Sequence, residues 1–373
     1  MNILIASDKF KGSITAHEVC RAVGEALLEI NPSYEISKVP LADGGEGTFE
    51  ILVEQSEGSI KKVSVLDPLQ RPIQAEYGIS KDETTAFIEM AKASGLQLLK
   101  ETERNPLNTS THGTGQLILD ALDQGATNII LGIGGSATND AGIGMAHVLG
   151  FRFLNRENKI LNPVGQSLSE INAIDTTQVD VRLREVNFTV LCDVDNPLYG
   201  PQGASFVYGP QKGASTESVK KLDQGLKHFA DLIKHRYHQE LNFPGSGAAG
   251  GMGAGAKLFL NAKFQNGIDY ISNLTGLEEK IRACDVVITG EGKVDEQTFS
   301  GKVVAHVVSL ANQHKKLVFI LCGQCTLSAD ELKKFGAGKI ITLADHPSEL
   351  NAAITQPIPL IKSRIKKTFL NLT

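Results

Sequence analysis

The chain has 373 residues, 41% hydrophobic and 21% charged, with 37 Lys+Arg against 42 Asp+Glu for a net charge of −5. That composition excludes a disordered tail, a collagen and a coiled coil, and the length leads us to expect two α/β-sized domains. With no concentrated basic run and no stretch near the ~20 apolar residues of a membrane helix, neither nucleic acid nor membrane is an expected partner. Five scattered cysteines (Cys20, Cys192, Cys284, Cys322, Cys325) and an N-terminus without a positive leader point to the cytoplasm.

Taken along the chain, Ile3–Ala6 reads as a short buried strand. Thr15 and Glu18 form a capping-box pair, followed at helical spacing by Val19, Ala22, Val23, Ala26, Leu27 and Ile30. Ile36–Pro40 reads as a strand and Phe49–Val53 as part of a helix. From Ile60 to Met90 the apolar period changes to two (Val63, Val65; Ile73, Ala75, Tyr77; Ala86, Ile88, Met90), which predicts antiparallel strands. A helix through Leu117, Ile118, Ala121 and Leu122 leads into a strand over Asn128–Ile133. Between Gly150 and Gly255, β-like pieces (Phe188–Leu191, Ser205–Tyr208) accompany a helix with Val219, Leu222, Leu226, Phe229 and Ile233 on one face. Strands Asp285–Thr289, Leu317–Leu321 and Lys339–Leu343 then alternate with helices, one of them opened by a Ser328/Glu331 capping box. Lys362, Arg364, Lys366 and Lys367, interleaved with Ile361, Ile365 and Phe369, read as the solvated face of a last helix.

This alternation predicts an α/β protein of two domains: a doubly wound, mostly parallel sheet of about six strands, with a second mixed α/β domain inserted and the active site in the cleft between them. The expected division is residues 1–60, 107–145 and 265–373 for the Rossmann-like domain, and 61–106 with 146–264 for the insertion.

Chemistry-bearing residues cluster at or just after the predicted strands, where open α/β sheets bind ligands. The first clusters are Ser7-Asp8-Lys9-Phe10-Lys11-Gly12-Ser13 and Ala42-Asp43-Gly44-Gly45-Glu46-Gly47-Thr48. The third, Gly132-Ile133-Gly134-Gly135-Ser136-Ala137-Thr138-Asn139-Asp140, fits a dinucleotide fingerprint only formally, because Thr138–Gly142 interrupts the helix expected after it. Backbone N–H groups followed by hydroxyls, an amide and a carboxylate suit phosphate and Mg²⁺ better. Gly245–Gly255 carries six glycines and misses the P-loop pattern; it reads as a tight loop near a ligand. Asp193 and Asp195 come after an apolar strand on one face by period two, able to share a cation or supply a base. Glu291 and Asp295, with Gln297, Thr298 and Lys302 beyond, form a second acidic turn. Cys322-x-x-Cys325 lacks a second pair or a ligand-spaced histidine and reads as a structural turn, and His112 fits a hydrogen-bonding role at a helix start.

Together, Asp8 to Ser13, Pro40 to Thr48, Gly134 to Asp140, Cys192 to Leu198, Gly209-Pro210-Gln211-Lys212-Gly213-Ala214 and Thr289 to Lys302 resemble, in order and spacing, the bacterial type I glycerate kinase family. The resemblance implies ATP-dependent phosphorylation of D-glycerate, Mg²⁺ dependence, and a two-domain fold unlike the P-loop kinases. It favours 2-phosphoglycerate over 3-phosphoglycerate as product and a monomer or homodimer binding D-glycerate and ATP as small-molecule partners. Departures are Ala141, where a Gly is common, and Val303-Val304 in place of a small residue and Pro.

Phosphoryl transfer asks for cations and Mg²⁺ on the phosphates, backbone donors and an acid to receive the hydroxyl proton. Asp193 is assigned as the acid nearest the glycerate hydroxyl, with Asp8 and Lys9 as further catalytic candidates. Substrate and phosphate contacts are assigned to Lys11, Asp43, Gly44, Gly45, Glu46, Gly134, Gly135, Ser136, Asn139, Lys212, Glu291, Gln297, Thr298 and Lys302, and the metal to Asp195, Asp140 and Asp295. Lys9, Lys11, Arg71 and Lys212 are the candidate cations for the substrate carboxylate. The competing readings are an NAD(P)-dependent hydroxy-acid dehydrogenase, resting on Gly132–Ala137, and a non-catalytic nucleotide-binding regulator.

Overall fold

The computed structural model describes residues 1–45, 47–299, 303–336 and 338–370, with residues 297, 299, 329, 333 and 335 described by their backbone alone. In chain order the strands are β1 Asn2–Ile5, β2 Glu35–Lys38, β3 Ser59–Leu66, β4 Pro72–Ile79, β5 Thr85–Glu89, β6 Asn128–Gly132, β7 Arg152–Leu154, β8 Ala173–Asp175, β9 Asn187–Leu191, β10 Lys263–Gln265, β11 Val286–Val294, β12 Leu317–Cys325 and β13 Lys339–Thr342. Contacts divide the chain into two compact units, Met1–Ile51 with Gly267–Thr373, and Leu52–Asn266.

The first unit is built on an all-parallel sheet in the order β13-β12-β11-β1-β2. Its central strands are continuous apolar runs because both faces are covered. Ile3, Ile5, Val286, Ile288, Phe319 and Leu321 point into one core with Val19, Val23 and Leu27 of helix Ala16–Ile30 and Ile361, Ile365 and Phe369 of helix Pro357–Leu370. Helix Val303–Gln313 contacts β11 and β12. The Thr15/Glu18 capping box is formed, the Thr15 N–H donating to Glu18 Oε2 at 2.9 Å and the Glu18 N–H to Thr15 Oγ1 at 3.2 Å. The cations of the last helix pair with acids, Lys362 with Glu25 at 2.6 Å and Arg364 with Asp345 at 2.9 Å, as a solvated face would. The chain leaves β1 toward β2 on one side, while β11, β12 and β13 step away on the other. The strand order therefore reverses between β1 and β11, the point at which such sheets bind ligands.

The second unit carries a six-stranded mixed sheet, β10-β9-β6-β5-β4-β3, and a two-stranded pair, β7-β8. The period-two region forms antiparallel β3, β4 and β5, with Val63 opposite Ala75 and Gly78 opposite Phe87. Two expectations are corrected here. Asn128–Gly132 is not a strand of the first sheet: it pairs in parallel with β5 and β9, so 107–145 belongs to the second unit and the first sheet has five strands. Ile129–Leu131 are buried, and a doubly covered central strand gives the same apolar run in either sheet. Ser205–Tyr208 is helical within Ala204–Tyr208, where the Ser205 carbonyl accepts from the Gly209 N–H at 3.0 Å. The exposed Phe206 and Val207 give the segment its strand-like apolar run. Among the described residues no helix is long and apolar enough to cross a membrane.

Candidate active site

At the reversal in the first sheet, backbone pairing continues past β1: the Ala6 N–H donates to Ile288 O at 2.8 Å and the Asp8 N–H to Gly290 O at 2.9 Å. Gly290 is required by the close pass of β12, since a Cβ there would stand 2.3 Å from Leu321 O. These bonds place Asp8 on a cavity of about 700 Å³, lined also by Lys9, Lys11, Asp43, Gly45, Glu291, Asp295 and Thr298. Asp8 Oδ1 accepts from the Lys9 N–H at 2.7 Å. Burial, reinforced by the neighbouring Asp43 charge and opposed by Lys9, pushes the Asp8 carboxyl up to about 7. Thr298 Oγ1 donates to Glu291 Oε1 at 2.6 Å, and Lys293 holds the Asp295 carboxylate at 2.8 Å. Lys11 is exposed and makes no hydrogen bond or ion pair among the described residues. Lys293, Gln324 and an apolar group, Leu350, Ala353 and Ile354, also line it and were not assigned a role from sequence. Gln324 could have been found, as a polar residue just past the predicted strand Leu317–Leu321, but nothing local marks the apolar group.

In the second unit the turn after β6 leaves Gly134 and Gly135 exposed, while residues 136–141 beyond them are clamped. Buried Lys212 donates from Nζ to Ser136 Oγ at 2.7 Å and to Thr138 O at 2.8 Å. Thr109 Oγ1 donates to Ala137 O at 2.9 Å, Asn139 Nδ2 to Ser205 Oγ at 2.8 Å, and the Ala141 N–H to Gly250 O at 3.1 Å. Thr138 Oγ1 and Asn139 Oδ1 are buried with no hydrogen-bond partner among the described residues. Burial brings the Lys212 ammonium down to about 7, with Asp140 opposing the shift. Lys212 therefore braces the turn. Gly245–Gly255 proves to be packing backbone: a Cβ on Gly250 would lie 2.0 Å from Thr138 O, so only glycine lets this segment reach the turn.

Other assignments move. Asp140, expected at the metal, is fully buried and its oxygens are engaged by protein donors: it accepts from the Thr111 N–H and Oγ1 at 2.8 and 2.9 Å and from the Gly142 and Gly144 N–H groups at 3.2 Å. Asp193 and Asp195 lie exposed in irregular chain, because β9 ends at Leu191 and period two no longer applies. Among the described residues no group of three or more acids, histidines or cysteines could hold a metal. Arg71 is engaged by Asp67 at 2.6 Å and Glu103 at 2.7 Å. Ala141 stands at φ +50°, the left-handed region where glycine is unstrained. His112 begins helix His112–Asp123 with its ring 6.1 Å from that of His147. Cys322 and Cys325 are unpaired and share β12, where three residues of extended chain separate their Cα atoms by roughly 10 Å, too far for a disulfide. Gly44 sits in the bend beside Asp43, whose Oδ1 accepts from the Gly45 N–H at 3.3 Å. Glu46, Lys302 and the Gln297 side chain lie outside the described residues.

A parallel α/β sheet that gathers carboxylates, lysines and a hydroxyl at its reversal, with no P-loop, has the make-up of a small-molecule kinase. The chain belongs to the glycerate kinase family, whose sequence model matches residues 3–372. It is 44% identical to the glycerate kinase of Bacillus cereus over 95% of this chain and 93% of that one, and 43% identical to the glycerate 2-kinase of Escherichia coli over the same shares. A crystal structure described as a candidate glycerate kinase 2 from Salmonella typhimurium LT2 superposes with a TM-score of 0.88 at 40% identity, covering 100% of this chain and 98% of that one.

Proposed function

We propose that this kinase transfers the γ-phosphoryl group of ATP to D-glycerate to give 2-phosphoglycerate, with Asp8 as the group that receives the hydroxyl proton. The observation that carries the chemistry is the placement of Asp8: a carboxyl titrating near 7, fixed by backbone pairing at the sheet reversal, on a cavity that also holds Lys9 and Lys11. The substrate and regiochemistry are supported by the end-to-end likeness to the protein named glycerate 2-kinase. This moves the base from Asp193 to Asp8. Lys11, exposed on the cavity, supplies positive charge for a carboxylate or phosphate, and Lys9 stands beside the base.

Mg²⁺ fits the donor chemistry. The cavity offers carboxylate oxygens without a closed cage, and Mg²⁺ characteristically takes one or two carboxylates together with substrate phosphates and water. Asp43 and Glu291 would hold it, where it neutralises phosphate charge; Asp295 is already paired with Lys293. The exposed Gly134 and Gly135 offer a second anion-accepting backbone. The dehydrogenase reading loses its footing, since the helix after the glycine turn, Ile143–Val148, starts only beyond Gly142. Phosphorus NMR of the product from D-glycerate and MgATP tests the proposal: a 2-phosphoglycerate signal is expected, and no ADP release above a glycerate-free control would refute it.

A further inference from the structure

The cavity at the sheet reversal is larger than glycerate needs. At about 700 Å³ it lies within the roughly 300–1,000 Å³ of pockets that enclose drug-sized ligands, and a short hydroxy acid fills only a fraction of that. Its lining is also segregated. Asp8, Lys9 and Asp43 come from the segments that follow β1 and β2 and Glu291 from β11, whereas Leu350, Ala353 and Ile354 come from one short helix, Leu350–Thr355. Ile354 is 52% exposed, a large apolar side chain left open to solvent beside a charged site. The wall is fixed in place: Ser13 Oγ donates to Ile354 O at 2.7 Å, tying it to the loop that carries Asp8 and Lys11, and the helix contacts β12.

We infer that the adenine base of ATP lies against Leu350, Ala353 and Ile354, with its phosphates directed toward Lys11 and the Mg²⁺ that Asp43 and Glu291 would hold. The inference rests on the proposed use of ATP and adds the location of the base. A flat heteroaromatic ring gains from covering exposed apolar surface, and the cation it leads to is unpaired among the described residues. Gln324, on the same lining, supplies an amide for the edge of the ring.

The test compares the full-length wild type with Ile354→Asn, a surface change that adds no charge, and uses calorimetry with ADP and with tripolyphosphate. ADP affinity should fall about tenfold while tripolyphosphate affinity stays unchanged, because only ADP carries a base. In turnover assays the KM for ATP should rise by a similar factor, with the KM for glycerate unmoved, and Ile354→Val should restore ATP binding. Unchanged ADP affinity, equal loss of both ligands, or no ADP binding by the wild type would overturn the inference. Wild type that binds ADP as expected but does not phosphorylate glycerate would instead remove the substrate reading and leave the base site standing.

Discussion

The N–H of Asp8 donates to the carbonyl of Gly290 at 2.9 Å, so the carboxyl after β1 is fixed by the same ladder that holds the centre of the sheet. It stands there at an energetic cost, because burial and Asp43 oppose its ionisation.

Asp8→Asn should therefore separate activity from stability. Loss of the proton acceptor should lower kcat at least ~100-fold. In the wild type, kcat/KM should rise with pH through about 7 as Asp8 ionises. The folded state holds this proton up to about 7 and the unfolded state only to the usual carboxylate range, so folding stability contributed by Asp8 falls as pH rises across that window. Thermal melts should show Asp8→Asn gaining on the wild type from about pH 4 to about pH 8. A variant that kept near-normal kcat would return the role of base to Asp193.

Lys212 carries the opposite sign. Its ammonium is brought down to about 7 inside the fold but titrates near the ordinary lysine value when unfolded, so between those values the unfolded chain binds more protons and stability rises with pH. Melts of wild type and Lys212→Met should diverge in favour of the wild type from about pH 7 to about pH 10. Because Lys212 braces Ser136 and Thr138, the substitution should also raise the KM of an anionic substrate several-fold, with a smaller effect on kcat. Parallel melts would show that burial does not shift this lysine.

Among the candidate cations, Lys11 and Arg71 should behave differently. Arg71 is held by Asp67 and Glu103, while Lys11 is exposed at the cavity without a described partner. Lys11→Met should raise the KM for glycerate or ATP about tenfold, the loss expected for a hydrogen bond to a charged group, and Arg71→Ala should leave both KM values within about twofold. Steady-state kinetics decides, and the reverse pattern would put the anion beside Arg71.

The periodicities of helix Ala16–Ile30, of β3 to β5 and of helix Thr216–Tyr237 were legible because each buries one face and exposes the other. β6 was legible as a strand but not as a member of its sheet, since a run buried on both faces does not name its neighbours. The Gly245–Gly255 cluster, read as a loop near a ligand, instead meets protein backbone: Gly250 approaches Thr138, in a second loop of the same unit. Asp8 and Asp193 look alike in sequence, each an acid after an apolar strand. Only the continuing ladder to Gly290 distinguishes the carboxyl fixed on a cavity from the one in an exposed turn.

For Asp140 the roles of metal ligand and structural acid are separable by experiment. Its two oxygens accept four protein hydrogen bonds, from Thr111, Gly142 and Gly144, with Oδ2 alone taking three of them. Burial pushes its carboxyl up and these donors pull it down, an arrangement that satisfies a carboxylate through protein hydrogen bonds. Asp140→Asn would turn an amide N–H₂ toward backbone N–H groups that need an acceptor, and leaving such donors unmet costs about 1–3 kcal/mol each. The melting temperature should therefore drop by several degrees, by the same amount in EDTA as in excess Mg²⁺. If Mg²⁺ stabilised the wild type and Asp140→Asn abolished that stabilisation, Asp140 would be a ligand after all.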